Sequence, residues 1–202
     1  MRDLTTFILA GGQSSRMGED KAFLEMGGRL LIDHAMRRLK VFDCDIFLVG
    51  PKAKFNAFGR ILEDHYPNCG PLAGIHSALT RSETMFNLIT PVDMPLLTSQ
   101  LLEALVDKAE ASDAEVVLAK TADGLQPLCG VYRKSFFRTA DTALKQKKYK
   151  IDAAVLSRPH ELFDAQALGY PAELFLNVNT PADLTNAERY FKKHLAKAAH
   201  HD

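Results

Sequence analysis

The chain has 202 residues, 25 Lys+Arg against 25 Asp+Glu, and 47% hydrophobic residues. This is enough for a real core in one domain, and it excludes disorder as the dominant state. The charges also balance within each half, 11 of each sign over residues 1–100 and 14 of each over 101–202, which argues against nucleic acid or a membrane surface as a charge-held partner.

Leu4-Thr5-Thr6-Phe7-Ile8-Leu9 is β-rich and stops at Gly11-Gly12, the pattern of a buried strand. Over residues 29–40, Leu30, Leu31, Ala35, Met36 and Leu39 recur at helical spacing, with Arg37, Arg38 and Lys40 at the end where they favour the helix dipole. Ile46–Val49 reads as a second strand, ended by Gly50-Pro51, and Arg60–Glu63 as a short third. Pro71–Thr80 reads as a helix with Pro in its opening turn. Met85–Thr90 is the next strand, and Leu97–Ala111 a helix with Thr98 or Ser99 as N-cap.

The second half is less regular. Glu115–Lys120 and Pro127–Tyr132 read as strands flanking an Asp123-Gly124 turn. Ser135–Lys145 is a helix, Leu174–Val178 a strand, and Pro181–Lys197 a closing helix. The β-α-β alternation predicts an α/β fold, a three-layer α/β/α arrangement around a largely parallel twisted sheet. No internal repeat or low-complexity linker divides the chain.

Cys44, Cys69 and Cys129 are widely spaced and form no CxxC pair, so a zinc ribbon or disulfide scaffold is not expected. They read as buried thiols of a cytoplasmic protein. The apolar run Leu4–Ala10 is too short for a signal-peptide core, and none approaches the roughly 18 residues of a membrane span.

The most informative stretch is Leu9-Ala10-Gly11-Gly12-Gln13-Ser14-Ser15-Arg16-Met17-Gly18-Glu19-Asp20-Lys21. It follows a strand, at the sheet edge where open α/β folds bind ligands. Glycines let backbone N–H groups approach phosphate oxygens, and Arg16 and Lys21 supply cations. It is neither a Walker loop nor a GxGxxG fingerprint. A plain strand-to-helix turn is the competing reading of Gly11-Gly12 alone.

Asp93 follows an apolar strand, so its carboxylate emerges at the same edge. One or two carboxylates with substrate phosphates suit Mg²⁺; capping the turn before Pro95 is the other role open to it. Residues 133–150 hold Arg133, Lys134, Arg138, Lys145, Lys147, Lys148 and Lys150 against Asp141 alone. This run is either a solvated helix face or a surface turned to a phosphorylated substrate.

The glycine-rich stretch resembles the signature of the molybdenum cofactor guanylyltransferases, the MobA family of nucleotidyltransferases. Gly70-Pro71-Leu72-Ala73-Gly74-Ile75, Pro91-Val92-Asp93-Met94-Pro95-Leu96 and Asn177-Val178-Asn179-Thr180-Pro181 agree with the family in the same order, so the resemblance reaches from residue 9 to about 184. It implies a nucleotidyltransferase-type Rossmann-like fold and Mg²⁺-dependent transfer of GMP from GTP to the phosphate of molybdenum-bearing molybdopterin, with release of pyrophosphate.

By matching positions, the resemblance has Leu9, Ala10 and Gly11 meet the guanine and ribose through backbone groups. Gly12 and Gly18 belong to the same nucleotide loop, Lys21 holds the phosphates, Arg16 assists, and Asp93 carries the metal. Asp64 would contact the nucleoside or be a solvated loop acid. Gly70, Pro71 and Leu72 would shape its pocket or pack a helix, and Asn177 and Asn179 would bind the pterin or cap the turn before Pro181. Residues 1–111 would then form the nucleotide-binding half and 112–202 the acceptor-binding half of a single domain. Transient contact with cofactor biosynthesis proteins or target molybdoenzymes is implied as well. The family's polar, asparagine-containing segment after the second strand is replaced here by Val49-Gly50-Pro51-Lys52. A CTP-using relative and a non-catalytic nucleotide-binding module are the alternatives. Cytidylyl relatives tend to carry Leu-Ala-Ala-Gly where this chain has Leu9-Ala10-Gly11-Gly12, which favours GTP.

Overall fold

A computed structural model of the protein describes residues 2–11 and 20–195. In chain order the first half gives β1 (Leu4–Leu9), a small hairpin of β2 (Glu25–Met26) and β3 (Arg29–Leu30), α1 (Leu31–Leu39), β4 (Ile46–Val49), α2 (Lys52–Phe55), β5 (Arg60–Leu62), α3 (Pro71–Arg81), β6 (Phe86–Pro91) and α4 (Ser99–Glu110). The second half gives β7 (Val116–Thr121), β8 (Gly124–Arg133), α5 (Phe137–Lys145), α6 (Ile151–Leu156), β9 (His160–Asp164) and α7 (Pro181–Tyr190).

Seven strands form one sheet in the order β5-β4-β1-β6-β8-β7-β9. All neighbouring pairs are parallel except those of β8, which runs antiparallel to both β6 and β7. Strands from both halves of the chain therefore share the sheet. β1 lies inside the sheet between β4 and β6 and is buried at all six positions, as a strand covered on both faces must be. Its side chains alternate between two cores: Leu4 and Ile8 pack with α1, α4 and α7, while Phe7 and Leu9 pack with α3, α5 and α6. This is the three-layer α/β/α arrangement expected.

The differences from the sequence reading are local. Residues 29–30 pair with β2 rather than starting the helix, so α1 begins at Leu31. The run Leu174–Val178 is not a strand. A 3₁₀ turn covers Ala172–Phe175, and Leu174, Phe175 and Val178 are buried without joining the sheet. β9 and α6 were not foreseen. β8 is longer than Pro127–Tyr132; the proline is tolerated because the β7 ladder skips from Gly130 to Gln126 and asks nothing of Pro127. Among the thiols only Cys129 is buried, while Cys44 and Cys69 are half-buried, and all three are free. Among the described residues no helix is long and apolar enough to cross a membrane.

Candidate active site

The parallel strands β1, β4 and β6 end side by side, and the backbone just beyond them is tied together. The N–H groups of Ala10 and Gly11 both donate to the Val49 carbonyl at 3.0 Å, and that of Val92 donates to Leu9 at 3.1 Å. Above this floor lies a cleft of about 1000 Å³. Leu9, Ala10, Gly11, Lys21, Asp64, Gly70, Pro71 and Asp93 line it, together with Asp20, Gly50, Pro51, Glu63, Asn68 and Leu128.

Two glycines have steric reasons to be where they are. A Cβ at Gly50 would come within 2.9 Å of the Phe55 ring and 3.2 Å of the Gly11 nitrogen, so any side chain there would force its neighbours to shift. Gly70 opens α3 with φ of +74°, a conformation that side chains disfavour. Pro71 follows at the first helical position, where its missing N–H costs no hydrogen bond.

The mouth of the cleft gathers three chain segments. Lys21 Nζ donates to Asp93 Oδ2 at 3.1 Å and also to Asn179 Oδ1. Its side chain is 23% exposed and that of Asp93 22%, so the pair is sheltered yet reachable. Asn179 is brought there because the Val178 N–H donates to the Asp93 carbonyl at 2.8 Å. Asn177, on the same segment, is exposed. Among the described residues there is no cluster of three His, Cys, Asp or Glu side chains that could hold a metal ion.

Asp64 sits deeper. Burial pushes its carboxyl above the ordinary carboxylate value, and Oδ1 is enclosed with no hydrogen-bond partner among the described residues. It is an acceptor, or when protonated a donor, available to a ligand. Asp20 and Glu63 serve the walls instead. Asp20 caps Ala22 and pairs with Lys54 at 2.9 Å, and Glu63 accepts from the Lys52 N–H at the start of α2.

Several foreseen residues lie elsewhere. Leu72 does not line the cleft: it is fully buried among the side chains between α3 and the sheet, since the phase of α3 turns it inward while Gly70 and Pro71 face out. Gly12, Arg16 and Gly18 fall on residues 12–19, outside the described residues. The basic run does not line the cleft either. Arg138, Lys148 and Lys150 border a separate hollow of about 540 Å³ between α5 and α6. The run meets the cleft rim through Asp141, which accepts from Tyr66 Oη at 2.8 Å and from Lys145 at 2.7 Å. Lys145 first, then Tyr66, holds the Asp141 carboxyl below its ordinary value.

Glu63 and Asn68 could have been read as neighbours of Asp64, but nothing in the sequence marks Leu128, which reaches the cleft only because β8 reverses direction.

A MobA-like NTP transferase domain matches residues 6–162. The chain is 33% identical over 195 residues to a protein of Carboxydothermus hydrogenoformans named "Probable molybdenum cofactor guanylyltransferase", covering 95% of this chain and 98% of that one. Its fold matches that of molybdopterin-guanine dinucleotide biosynthesis protein A from Archaeoglobus fulgidus with a TM-score of 0.82, at 23% identity over 94% of this chain and 99% of that one. A 4-diphosphocytidyl-2C-methyl-D-erythritol synthase from Anaerococcus prevotii shares the fold with a TM-score of 0.72 at 14% identity, over 95% and 96% of the two chains.

Proposed function

Because the chain belongs to the MobA-like NTP transferase family, we propose that it transfers GMP from GTP to the phosphate of molybdenum-bearing molybdopterin. The protein is an enzyme, a nucleotidyltransferase of the molybdenum cofactor guanylyltransferase type. In the proposed step an oxygen of the acceptor phosphate attacks the α-phosphorus of GTP. The bond from that phosphorus to the β-phosphate oxygen breaks, and pyrophosphate leaves with the electron pair.

The observation that carries this reading is the meeting of Lys21, Asp93 and Asn179 at one mouth. Lys21 comes from the nucleotide loop, Asp93 from the end of β6, and Asn179 from the segment assigned to the acceptor. A triphosphate entering the cleft would draw Lys21 from its two present acceptors onto phosphate oxygens, where a cation offsets charge as it develops. The backbone at Leu9–Gly11, with Asp64 below it, offers hydrogen-bond partners to the nucleoside. Asn179 and Asn177 then face the second substrate.

Among the described residues the donor set at the mouth fits Mg²⁺ rather than a metal that needs several protein ligands. Asp93 supplies one sheltered carboxylate, and Mg²⁺ takes one or two carboxylates plus substrate phosphates. Bound there, the ion would offset phosphate charge and help align the attack.

Nucleotide competition tests the reading. Incubated with Mg²⁺, molybdenum cofactor and equimolar GTP, CTP, ATP and UTP, the enzyme should form the guanine dinucleotide in large excess. A cytosine product would move the chain to the CTP reading, which shares this fold. No dinucleotide of any kind, from folded protein, would reject transfer to this acceptor.

A further inference from the structure

α1 packs Leu31, Ile32, Ala35 and Leu39 into the core, and Arg38 lies buried among them, 6% exposed. A guanidinium in such a place is expensive unless its donors are used. Nη1 donates to the Met94 carbonyl at 2.9 Å and Nη2 to the Pro91 carbonyl at 3.0 Å. These two carbonyls bracket Asp93. Ser99 at the start of α4 donates its hydroxyl to the carbonyl of Arg38 at 2.9 Å, tying the backbone of α1 to the far end of the same loop.

No carboxylate pairs with Arg38 among the described residues, and Nε has no partner there. A core position of this kind is better filled by leucine or methionine, unless the two carbonyls matter. They belong to a turn held on two other sides, by Val92 N–H on the Leu9 carbonyl and by Val178 N–H on the Asp93 carbonyl. Arg38 supplies the third, from beneath. Its planar fork can reach two acceptors at once, which a single ammonium does less well.

We propose that Arg38 is a positioning residue: its buried guanidinium holds the Pro91–Met94 turn so that the Asp93 carboxylate meets Lys21 at the cleft mouth. The part of this concerning Asp93 rests on the function proposed above, whereas the bracing of the turn does not. Arg38 touches neither substrate; it acts through the backbone on either side of Asp93.

The test uses the full-length chain as wild type, Arg38→Met, Arg38→Lys and Asp93→Asn, with two readouts. The first is amide hydrogen exchange at Val92 and Val178, whose bonds depend on the turn, against Ile89 in the sheet as reference. In Arg38→Met, exchange at Val92 and Val178 should rise about tenfold or more, with Ile89 unchanged, as expected of a local opening. The second is steady-state transfer. Its kcat should fall about 10–100-fold, the usual cost of losing a group that orients a site residue, with the KM for GTP within about twofold of wild type.

Arg38→Lys should recover part of both effects. Unchanged exchange at Val92 and Val178 in Arg38→Met overturns the proposal, and so does a rise shared equally by Ile89, which would mean general loosening. If Arg38→Met does not fold, Arg38→Lys is judged by the same two amides. Wild-type transfer by Asp93→Asn would sink the reading of Asp93, while the exchange data would still decide whether Arg38 holds the turn.

Discussion

Lys21 holds two acceptors at once, and this makes it the residue whose loss should be most specific. Asp93 and Asn179 are both its partners in the free protein, yet each has a distinct task in the proposed reaction. Lys21→Ala should therefore weaken GTP binding and lower transfer about 10²–10³-fold, the scale of losing one charge-stabilising group. Its cost to stability should be small, about 1 kcal/mol or less, because the pair keeps nearly a quarter of its side-chain surface in solvent. Asp93→Ala should abolish turnover with the thermal midpoint close to wild type. Wild-type kinetics in either variant, measured on protein shown to be folded, would remove that residue from the site. Asp93 was legible as a sheet-edge residue because it stands just beyond the apolar strand β6, whereas Lys21 was marked only by the glycine-rich stretch that it closes. Leu72 was not legible, because the phase of a helix cannot be set by a motif that runs across its first turn. Its neighbours Ile75 and Leu79 face the same core, and that stripe, rather than the motif, decides where Leu72 points.

At the scale of elements, the long apolar strands and amphipathic helices were readable, and the misreadings come from runs whose hydropathy does not match their place in the sheet. Leu174, Phe175, Leu176 and Val178 look like a strand because they are apolar, but a short apolar run is buried equally well without a ladder. Here the chain passes under Asp93 and spends one N–H on it. β9 was missed for the opposite reason: His160, Glu161 and Asp164 are polar, as suits the edge of a sheet, where charge discourages further pairing. The same segment explains why Asn179 stays at the mouth. Thr180 caps α7 by accepting from the Asp183 N–H at 3.2 Å, while Asp183 Oδ2 accepts from Asn179 N–H at 3.0 Å and Thr180 N–H at 2.8 Å. The Thr180 contact holds the Asp183 carboxyl below its ordinary value of 3.8, opposed by burial and aided by the backbone N–H groups of Asn179 and Thr180. A carboxyl depressed in the folded state stabilises the fold above its unfolded value, and that contribution fades as pH falls below 3.8 toward the folded value. Thr180→Ala should cost about 1 kcal/mol at neutral pH. Asp183→Asn should lower the urea midpoint at pH 7 and lose much of that effect near pH 3. An equal penalty at both pH values would mean that the charge of Asp183 has no part in the cap.

Across the whole molecule, a formal charge of zero conceals a separation. Residues 133–150 carry seven bases and one acid, +6, and residues 103–123 carry six acids and two bases, −4. The acid half of that contrast is partly spent on structure, since Glu115 on the strand side accepts from both Arg158 and Ser135. The basic half is less spent. Lys145 is paired with Asp141, but Arg138, Lys148 and Lys150 are exposed and have no carboxylate partner among the described residues. Because Asp141 also holds Tyr66, the run begins beside the cleft rim without entering the cleft. On the function proposed above, cations placed there would draw a phosphorylated acceptor toward the cleft rim. Replacing Lys147, Lys148 and Lys150 by Gln should then raise the KM for the molybdopterin substrate by about fivefold for each lysine that faces its phosphate, equivalent to about 1 kcal/mol apiece. The KM for GTP should stay within about twofold. Salt supplies an independent check, because exposed charges are screened beyond about 8 Å at physiological ionic strength. The acceptor KM of the wild type should rise with added salt, and that of the triple variant should barely move. Equal changes in both substrates' KM values, or none, would leave the run as a solvated helix face whose charge merely offsets the acidic segment.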